Sequence, residues 1–296
     1  MSRNHQPGIL QPVTSAARYV TYHLNPGITP REVARCVRSL EVRESAVVGL
    51  GLSAVCLLGK RVPGLRAFPR LSGPGVDMPS TEGALWLWLR GEDRGELVHQ
   101  TRAADKLLRP AFAPAEVAEA FRYGKGLDLT GFEDGTENPS GAKAAATAIV
   151  RSQGPGLDGS SFVAVQRWVH DLDRFDSMSP SSRDLAIGRR REGNEEIEDA
   201  PASAHVKRTA QESFQPAAFV LRRSMPWSDG GSSGLMFVAF GASFDPFEAL
   251  CRRMVGVEDG IVDALFRFTR PVTGSYYWCP PRAQAGLDLT ALGLRG

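Results

Sequence analysis

The sequence predicts an α+β protein made of two ferredoxin-like halves in tandem, each with an antiparallel sheet. Three observations lead there. Residues 1–123 read as β-α-β-β-α-β, the split βαβ arrangement. A Gly/Pro-rich stretch, Gly154-Pro155-Gly156-Leu157-Asp158-Gly159, then interrupts the pattern as a linker would. Beyond it, strands and helices recur in a similar order, without any residue-level repeat. A chain of 296 residues suits one large domain or two ordinary ones, and the division predicted is 1–153 and 154–296.

Residues 1–14 read as a loose arm. Residues 17–24 form a strand ended by Asn25-Pro26-Gly27. Thr29-Pro30-Arg31-Glu32 is a capping box with proline at the first helical position. The helix it opens sets Val33, Cys36, Val37 and Leu40 on one stripe. A strand at 45–51 and a short apolar turn or helix at 54–58 lead into a Pro/Gly-rich excursion over 62–79. In 84–90, Leu85, Leu87 and Leu89 alternate with Trp86 and Trp88, which marks a strand. Residues 94–108 are helical, and a strand lies within 115–123. In the second half, 162–169 is a strand and Ser179-Pro180 opens a helix reaching about Arg189. Strands are predicted at 217–223 and 235–240. Asp245-Pro246 caps a helix that Gly256 stops. A short helix at 261–268, a last strand at 274–278 and a frayed tail from Arg282 complete the chain.

The formal net charge is +2, with both signs interspersed, so neither nucleic acid nor an anionic membrane is implied as a partner. Cys36, Cys56, Cys251 and Cys279 are widely spaced and form no C-x-x-C pair, which argues against zinc and for buried thiols in a reducing compartment. No stretch is apolar enough for a signal h-region or a membrane span, so a cytoplasmic location is expected.

The stretch with most chemistry is Gly131-Phe132-Glu133-Asp134-Gly135-Thr136-Glu137-Asn138-Pro139. Glycines hold an acidic core, and Asn-Pro closes it. This is either a plain surface turn or a tight loop that brings an acid close to a ligand. Five histidines are present. His5 lies in the arm, and His23 and His99 lie in patterned elements. His170 precedes Asp171, where a local hydrogen bond is expected. His205 follows an acidic loop and has small neighbours, Ala202, Ser203 and Ala204. A lone histidine is usually structural, and no second one stands near enough for zinc or non-haem iron. A haem needs only one protein ligand. Arg222 and Arg223 end a strand and point to opposite faces, with Arg223 read as solvated. The run 235–240 is apolar without alternation. It fits a strand buried on both sides, which lines a pocket or fills a core.

Together these segments resemble the dye-decolourising peroxidases, of the bacterial B-type subgroup. The 131–139 stretch is similar to that family's Gly-x-x-Asp-Gly fingerprint. Residues 163–172, Ile187-Gly188-Arg189, the segment around His205, Arg222-x-Ser224-Met225-Pro226, Asp263-Ala264-Leu265 and 271–277 match in order over nearly the whole chain. The resemblance implies tandem ferredoxin-like halves with one haem b in the C-terminal half. It implies a peroxidase that reduces hydrogen peroxide through a ferryl intermediate and oxidises dyes and phenolics. By position, His205 is the proximal iron ligand and Asp263 the acceptor for its other nitrogen, against a plain reading of Asp263 as a solvated helix carboxylate. Asp134 and Arg222 are the distal catalytic pair, joined by Ser224 where the family often has asparagine. Arg189 pairs with a propionate, and Thr136, Leu235 and Phe237 line the cofactor.

Bulky donors imply electron transfer through an aromatic, with Trp168, Trp227, Tyr276, Tyr277 and Trp278 as candidates, each of which reads first as a packing residue. Glu137 is a weak candidate for holding Mn²⁺, since one carboxylate makes a poor site. Family members are commonly homo-oligomers, and some enter an encapsulin shell through a C-terminal peptide that 282–296 weakly resembles. Two competing functions are a haem- or porphyrin-handling protein without peroxide turnover, and an α+β binding module without a cofactor.

Overall fold

Runs rich in Val, Leu, Trp and Tyr alternate here with short amphipathic segments, and strands with two apolar faces must be covered on both sides. The computed structural model, which describes residues 4–42, 44–284 and 286–294, meets that need with a ring of strands wrapped by helices. The elements in order are β1 (Ala16–Leu24), α1 (Pro30–Arg38), β2 (Ala46–Gly51), α2 (Leu52–Leu57), β3 (Leu71–Gly73), β4 (Val76–Met78), β5 (Leu85–Gly91), α3 (Arg94–Leu108) and β6 (Phe112–Phe121). Next come α4 (Gly141–Ala148), β7 (Ser161–His170), α5 (Leu172–Ser177), α6 (Pro180–Ile187), α7 (His205–Arg208), β8 (Leu221–Arg222), β9 (Met225–Asp229) and β10 (Ser232–Gly241). The chain ends with α8 (Asp245–Met254), β11 (Thr269–Pro271), β12 (Ser275–Cys279), β13 (Arg282–Ala283) and β14 (Gly286–Leu287).

The pairings β2-β5-β1-β6-β9-β10-β7-β12 are all antiparallel, and β12 returns to β2. The result is a barrel-like sheet. Its closing seams are narrow: Tyr277↔Gly51 and Trp278↔Leu50 on one side, Ala120↔Trp227 on the other.

Alternation along each strand sorts side chains to two cores. Inside the ring, Trp86 lies between Tyr19 (6.1 Å between ring centroids) and Tyr277 (5.9 Å), and Trp88 between Tyr19 and Phe240 (both 6.0 Å). Outside it, Leu85, Leu87, Val20 and Trp278 pack with Val33 and Val37 of α1 and Phe247 and Leu250 of α8. Thus Leu85–Leu89 and the two tryptophans between them are all buried, on opposite faces. The predicted capping box sets α1: the Thr29 hydroxyl accepts from Glu32 N–H (3.4 Å), and Glu32 accepts from Thr29 N–H (3.0 Å).

Several expectations need correction. The arm is not loose from residue 4 onward (residues 1–3 lie outside the described set). Gln6 and Ile9 are fully buried, because the Gln6 amide bonds to β2 main chain and Ile9 joins the inner core. The strand predicted at 217–223 shrinks to β8. Ala218 N–H bonds to Gln211 O (2.8 Å) and Val220 N–H to Gln211 Oε1 (2.9 Å), so these donors never join a ladder. The helix predicted at 261–268 is one 3-10 turn over Ala264–Arg267, with Asp263 as its cap. β12 is not the last strand, since β13 and β14 pair after it. The tail is not frayed as far as Leu294: Leu289 and Leu292 are buried against the outer core, while Arg295 and Gly296 lie outside the described residues. Cys36, Cys251 and Cys279 are buried free thiols as expected, whereas Cys56 is exposed.

Candidate functional site

The acidic loop follows β6. Two glycines give it its shape, with φ of 85° at Gly131 and 80° at Gly135, values that side-chain-bearing residues rarely adopt. The turn is closed by Gly131 N–H to Asp128 O (2.8 Å) and Asp128 N–H to Phe132 O (2.8 Å). Phe132 is buried and meets Phe175 edge-on, which anchors the loop. Beyond this anchor, Asp134 stands beside Arg222 of β8, with Oδ1 and Nη1 3.4 Å apart.

His205 begins α7. Its Nδ1 is 2.8 Å from Oδ2 of Asp263, and the side chain of Asp263 is shut off from solvent. The other Asp263 oxygen accepts from Leu265 N–H at 2.9 Å. This bond fixes the ring and leaves Nε2 as the nitrogen free to take a ligand. The solvated-carboxylate reading of Asp263 is therefore overturned. Gly188, the left-handed cap of α6, lets the segments come this close: a Cβ there would lie 2.3 Å from Val206 Cγ2. The next residue, Arg189, donates to Glu137 (3.0 Å), Glu196 (3.1 Å) and the Asn194 carbonyl (3.1 Å).

Asp134, Thr136, Arg189, His205, Arg222, Leu235 and Phe237 all line one cavity of about 330 Å³. Its floor is apolar, with Trp168, Phe247, Leu250, Met254 and Leu265. A flat, largely apolar cofactor with carboxylate edges fits this chemistry: one free imidazole nitrogen, a hydrocarbon wall and guanidinium groups. The Gln166 side chain supports the same conclusion. It lines the cavity, is 1% exposed, and its Nε2 has no hydrogen-bond partner among the described residues. An orphaned buried donor is costly, so an acceptor belongs there. Asp263 touches His205 from behind and is outside the lining. Ser224 is outside it too, with its Oγ buried and unpartnered.

Other sequence candidates fare differently. His170 does not bond to Asp171, whose carboxylate caps α5 through Arg174 N–H. Its Nε2 meets Asp128 Oδ1 (2.9 Å) and its Nδ1 meets Thr269 Oγ1 (2.6 Å). Burial would raise the Asp128 carboxyl, but the hydrogen bond and charge of His170, with bonds from Thr130, outweigh it and hold it below the usual range. Arg223 is not solvated. Burial, with Arg90 close by, lowers it to about 10, and it donates to the Leu10 carbonyl (2.8 Å). Trp168, Trp227, Tyr276, Tyr277 and Trp278 are all buried, and the exposed tyrosine among the described residues is Tyr123. Glu137 is engaged by Arg189, and no cluster of three or more metal-ligating side chains occurs among the described residues. Sequence reasoning missed Gln166, Glu196 and the pair Asp128–His170. Gln166 and His170 sit in the matching strand segment, but nothing local shows what they face.

Comparison with known proteins shows which family the chain belongs to. Residues 125–284, which hold the acidic loop, Arg189, His205, Arg222 and Asp263, match the family model described as "Dyp-type peroxidase, C-terminal". The chain belongs to the Dyp-type peroxidases. A dye-decolorizing peroxidase of Mycolicibacterium paratuberculosis is 28% identical over 291 residues, spanning 92% of this chain and 82% of that protein. A DypB variant of Rhodococcus jostii, solved in complex with heme, superposes with a TM-score of 0.85 at 26% identity, covering 94% of this chain and 97% of that one. The encapsulated DyP-type peroxidase of Mycobacterium smegmatis shares the fold, with a TM-score of 0.84 at 23% identity over 95% and 96% of the two chains. As a member of the Dyp-type peroxidases, this chain is a haem peroxidase that oxidises dyes.

Proposed function

We propose that the cavity binds one haem b, held by His205 Nε2, and that Asp134 and Arg222 activate hydrogen peroxide. One observation carries the reading: Asp134, Arg222 and His205 line a single cavity, with Asp134 beside Arg222 at 3.4 Å and His205 backed by Asp263 at 2.8 Å. Haem supplies the redox chemistry that cleaves the O–O bond. The protein supplies protons, charge and orientation. Asp134 takes a proton from one peroxide oxygen and returns it to the departing oxygen, directly or across one water. Arg222 sets a positive charge beside Asp134 and stabilises negative charge as the bond breaks. Asp263 accepts from His205 Nδ1, which raises the basicity of Nε2. Arg189 and Gln166 are the donors placed for carboxylate or water oxygens, Thr136 closes the rim, and Leu235 and Phe237 keep bulk water out.

Haem-loaded protein mixed with one equivalent of peroxide tests this. Wild type should lose its resting Soret band rapidly, and Asp134→Ala and Arg222→Ala should each slow that step at least about tenfold, or ~1.4 kcal/mol. Unchanged rates in both variants would remove the distal assignment.

The finer architecture is inferred as well. The order β6-β1-β5-β2 recurs as β12-β7-β10-β9, which supports reading the barrel as two ferredoxin-like halves that meet near residues 153 and 154. Among the described residues no helix is long and apolar enough to cross a membrane, and the buried free thiols favour a cytoplasmic setting. Homo-oligomers remain an inference from the family. Encapsulation is established in the name of the Mycobacterium smegmatis relative, and burial of Leu289 and Leu292 speaks against residues 286–294 being a free docking peptide.

A further inference from the structure

β8 is an end strand, paired with β10 alone. Arg222 lies opposite Ala239, and the bond to β10 comes from its neighbour, Arg223 N–H to Val238 O at 2.8 Å. The main-chain N–H and C=O of Arg222 face the other way, where no strand lies. Asn138 bonds to both, and Arg222 O accepts in addition from Arg223 Nη1 at 3.0 Å. Asn138 Oδ1 accepts from Arg222 N–H at 2.8 Å, and Asn138 Nδ2 donates to Arg222 O at 3.1 Å. These are the two bonds a neighbouring strand would make. Asn138 also donates its own N–H to Gly135 O at 2.9 Å, which closes the turn next to Asp134. Its amide packs on Gly135, where a Cβ would lie 2.8 Å from Nδ2. Gln211 adds a second stitch: Oε1 accepts from Val220 N–H (2.9 Å) and Nε2 donates to Glu137 O (3.3 Å).

We propose that Asn138 is a positioning residue, a one-residue surrogate strand that sets the Asp134 loop in register with Arg222 and so fixes their 3.4 Å approach. Asn138 does not line the cavity, so its effect passes through these two residues. Thr136 and Glu137 between them are exposed, and their side chains accept from Asn194 Nδ2 (2.9 Å) and Arg189 (3.0 Å), not from β8, while Phe132 anchors the loop before Asp134. Without Asn138 the Arg222 N–H loses its bond to the loop, and the ties that remain are Gln211, which joins Glu137 O to Val220 N–H just before β8, and the Asp134–Arg222 pair itself. The inference rests on the assignment of Asp134 and Arg222 given above.

The test compares wild type, Asn138→Ala and Asn138→Asp in two forms. In haem-free protein, amide exchange at Arg222 should accelerate about tenfold in Asn138→Ala, the scale of one lost hydrogen bond. Asn138→Asp keeps the acceptor for that N–H and should stay near wild type there, while losing the bond to Arg222 O. In haem-loaded protein, the second-order rate with peroxide should fall about tenfold in Asn138→Ala, with the Soret band and haem affinity retained. In an Arg222→Ala background the same substitution should cost nothing further, because coupled residues are non-additive. Unaltered exchange at Arg222, an unaltered peroxide rate, or equal loss in both backgrounds overturns the proposal. Failure of the underlying assignment shows separately, as wild-type peroxide rates in Asp134→Ala. If Asn138→Ala folds poorly, Asn138→Asp decides: having lost the bond to Arg222 O it should still slow the peroxide step, and a wild-type rate there overturns the proposal.

Discussion

At the scale of single residues, the most informative contact is His205 Nδ1 to Asp263, at 2.8 Å. A carboxylate that no water reaches, held by one ring nitrogen and one backbone N–H, has little else to stabilise its charge. Asp263→Asn keeps an acceptor but removes the charge. It should raise the reduction potential of the bound haem and lower peroxide reactivity about 10–100-fold, the range seen when a ligand's hydrogen-bond partner is changed. Spectroelectrochemistry reads the first effect and stopped flow the second; an unmoved potential would mean that Asp263 only caps the turn at Ala264. Local sequence drew attention to His205 and the acidic loop through their small or turn-forming neighbours, whereas the roles proposed for His205, Asp134 and Arg222 came from the family resemblance. It misdirected His170. Adjacency to Asp171 suggested a local bond, whereas the partner, Asp128, is brought in by the loop after β6. The five aromatic candidates are core residues, as their packing reading had it, because strands with both faces covered leave no surface side.

At the scale of elements, what the sequence reveals follows from how local the cause is. The boundaries of α3 match the prediction, since the Asp93 cap and the helical stripe lie within the segment itself. β8 does not, because Gln211 and Asn138 take its donors. The loop before Asp134 depends on Asp128 in the same non-local way. Its carboxylate accepts from Thr130 N–H (2.9 Å) and Thr130 Oγ1 (2.6 Å) and meets His170. The carboxyl is held below its ordinary value in the fold, so the ionised form binds the native state better. Its contribution to stability is complete above the unfolded value of about 3.9 and is lost as pH falls below that, through the lowered native value. Denaturant titrations of wild type and Asp128→Asn should therefore show a constant stability gap at pH 5 to 7 that narrows below about pH 4. A gap that widens on acidification would reverse the sign assigned here.

At the scale of the whole molecule, ring closure was out of reach of any local signal. The seams join β2 to β12 and β6 to β9, and each pair is far apart in sequence. Periodicity predicts that such strands are buried on both faces but not which edges meet. The seams also share a device with the site. β12 reaches only Leu50 and Gly51 of β2, so the edge at Val48 needs other partners. Gln6 provides them. Its Oε1 accepts from Val48 N–H (2.7 Å), and its Nε2 donates to Val48 O (2.8 Å) and to Pro280 O (3.0 Å) just past β12. The arm that read as loose thus extends the seam with one side-chain amide, as Asn138 and Gln211 extend β8. Gln6→Ala would strand one donor and two acceptors that lie away from water, where a single orphaned group costs about 1–3 kcal/mol. Its unfolding free energy from urea titration should fall by that amount, with faster amide exchange at Val48 and little change in the rate with peroxide, since the cavity lining lies elsewhere. A variant as stable as wild type would mean that water enters the seam and that the ring holds through strand pairing alone.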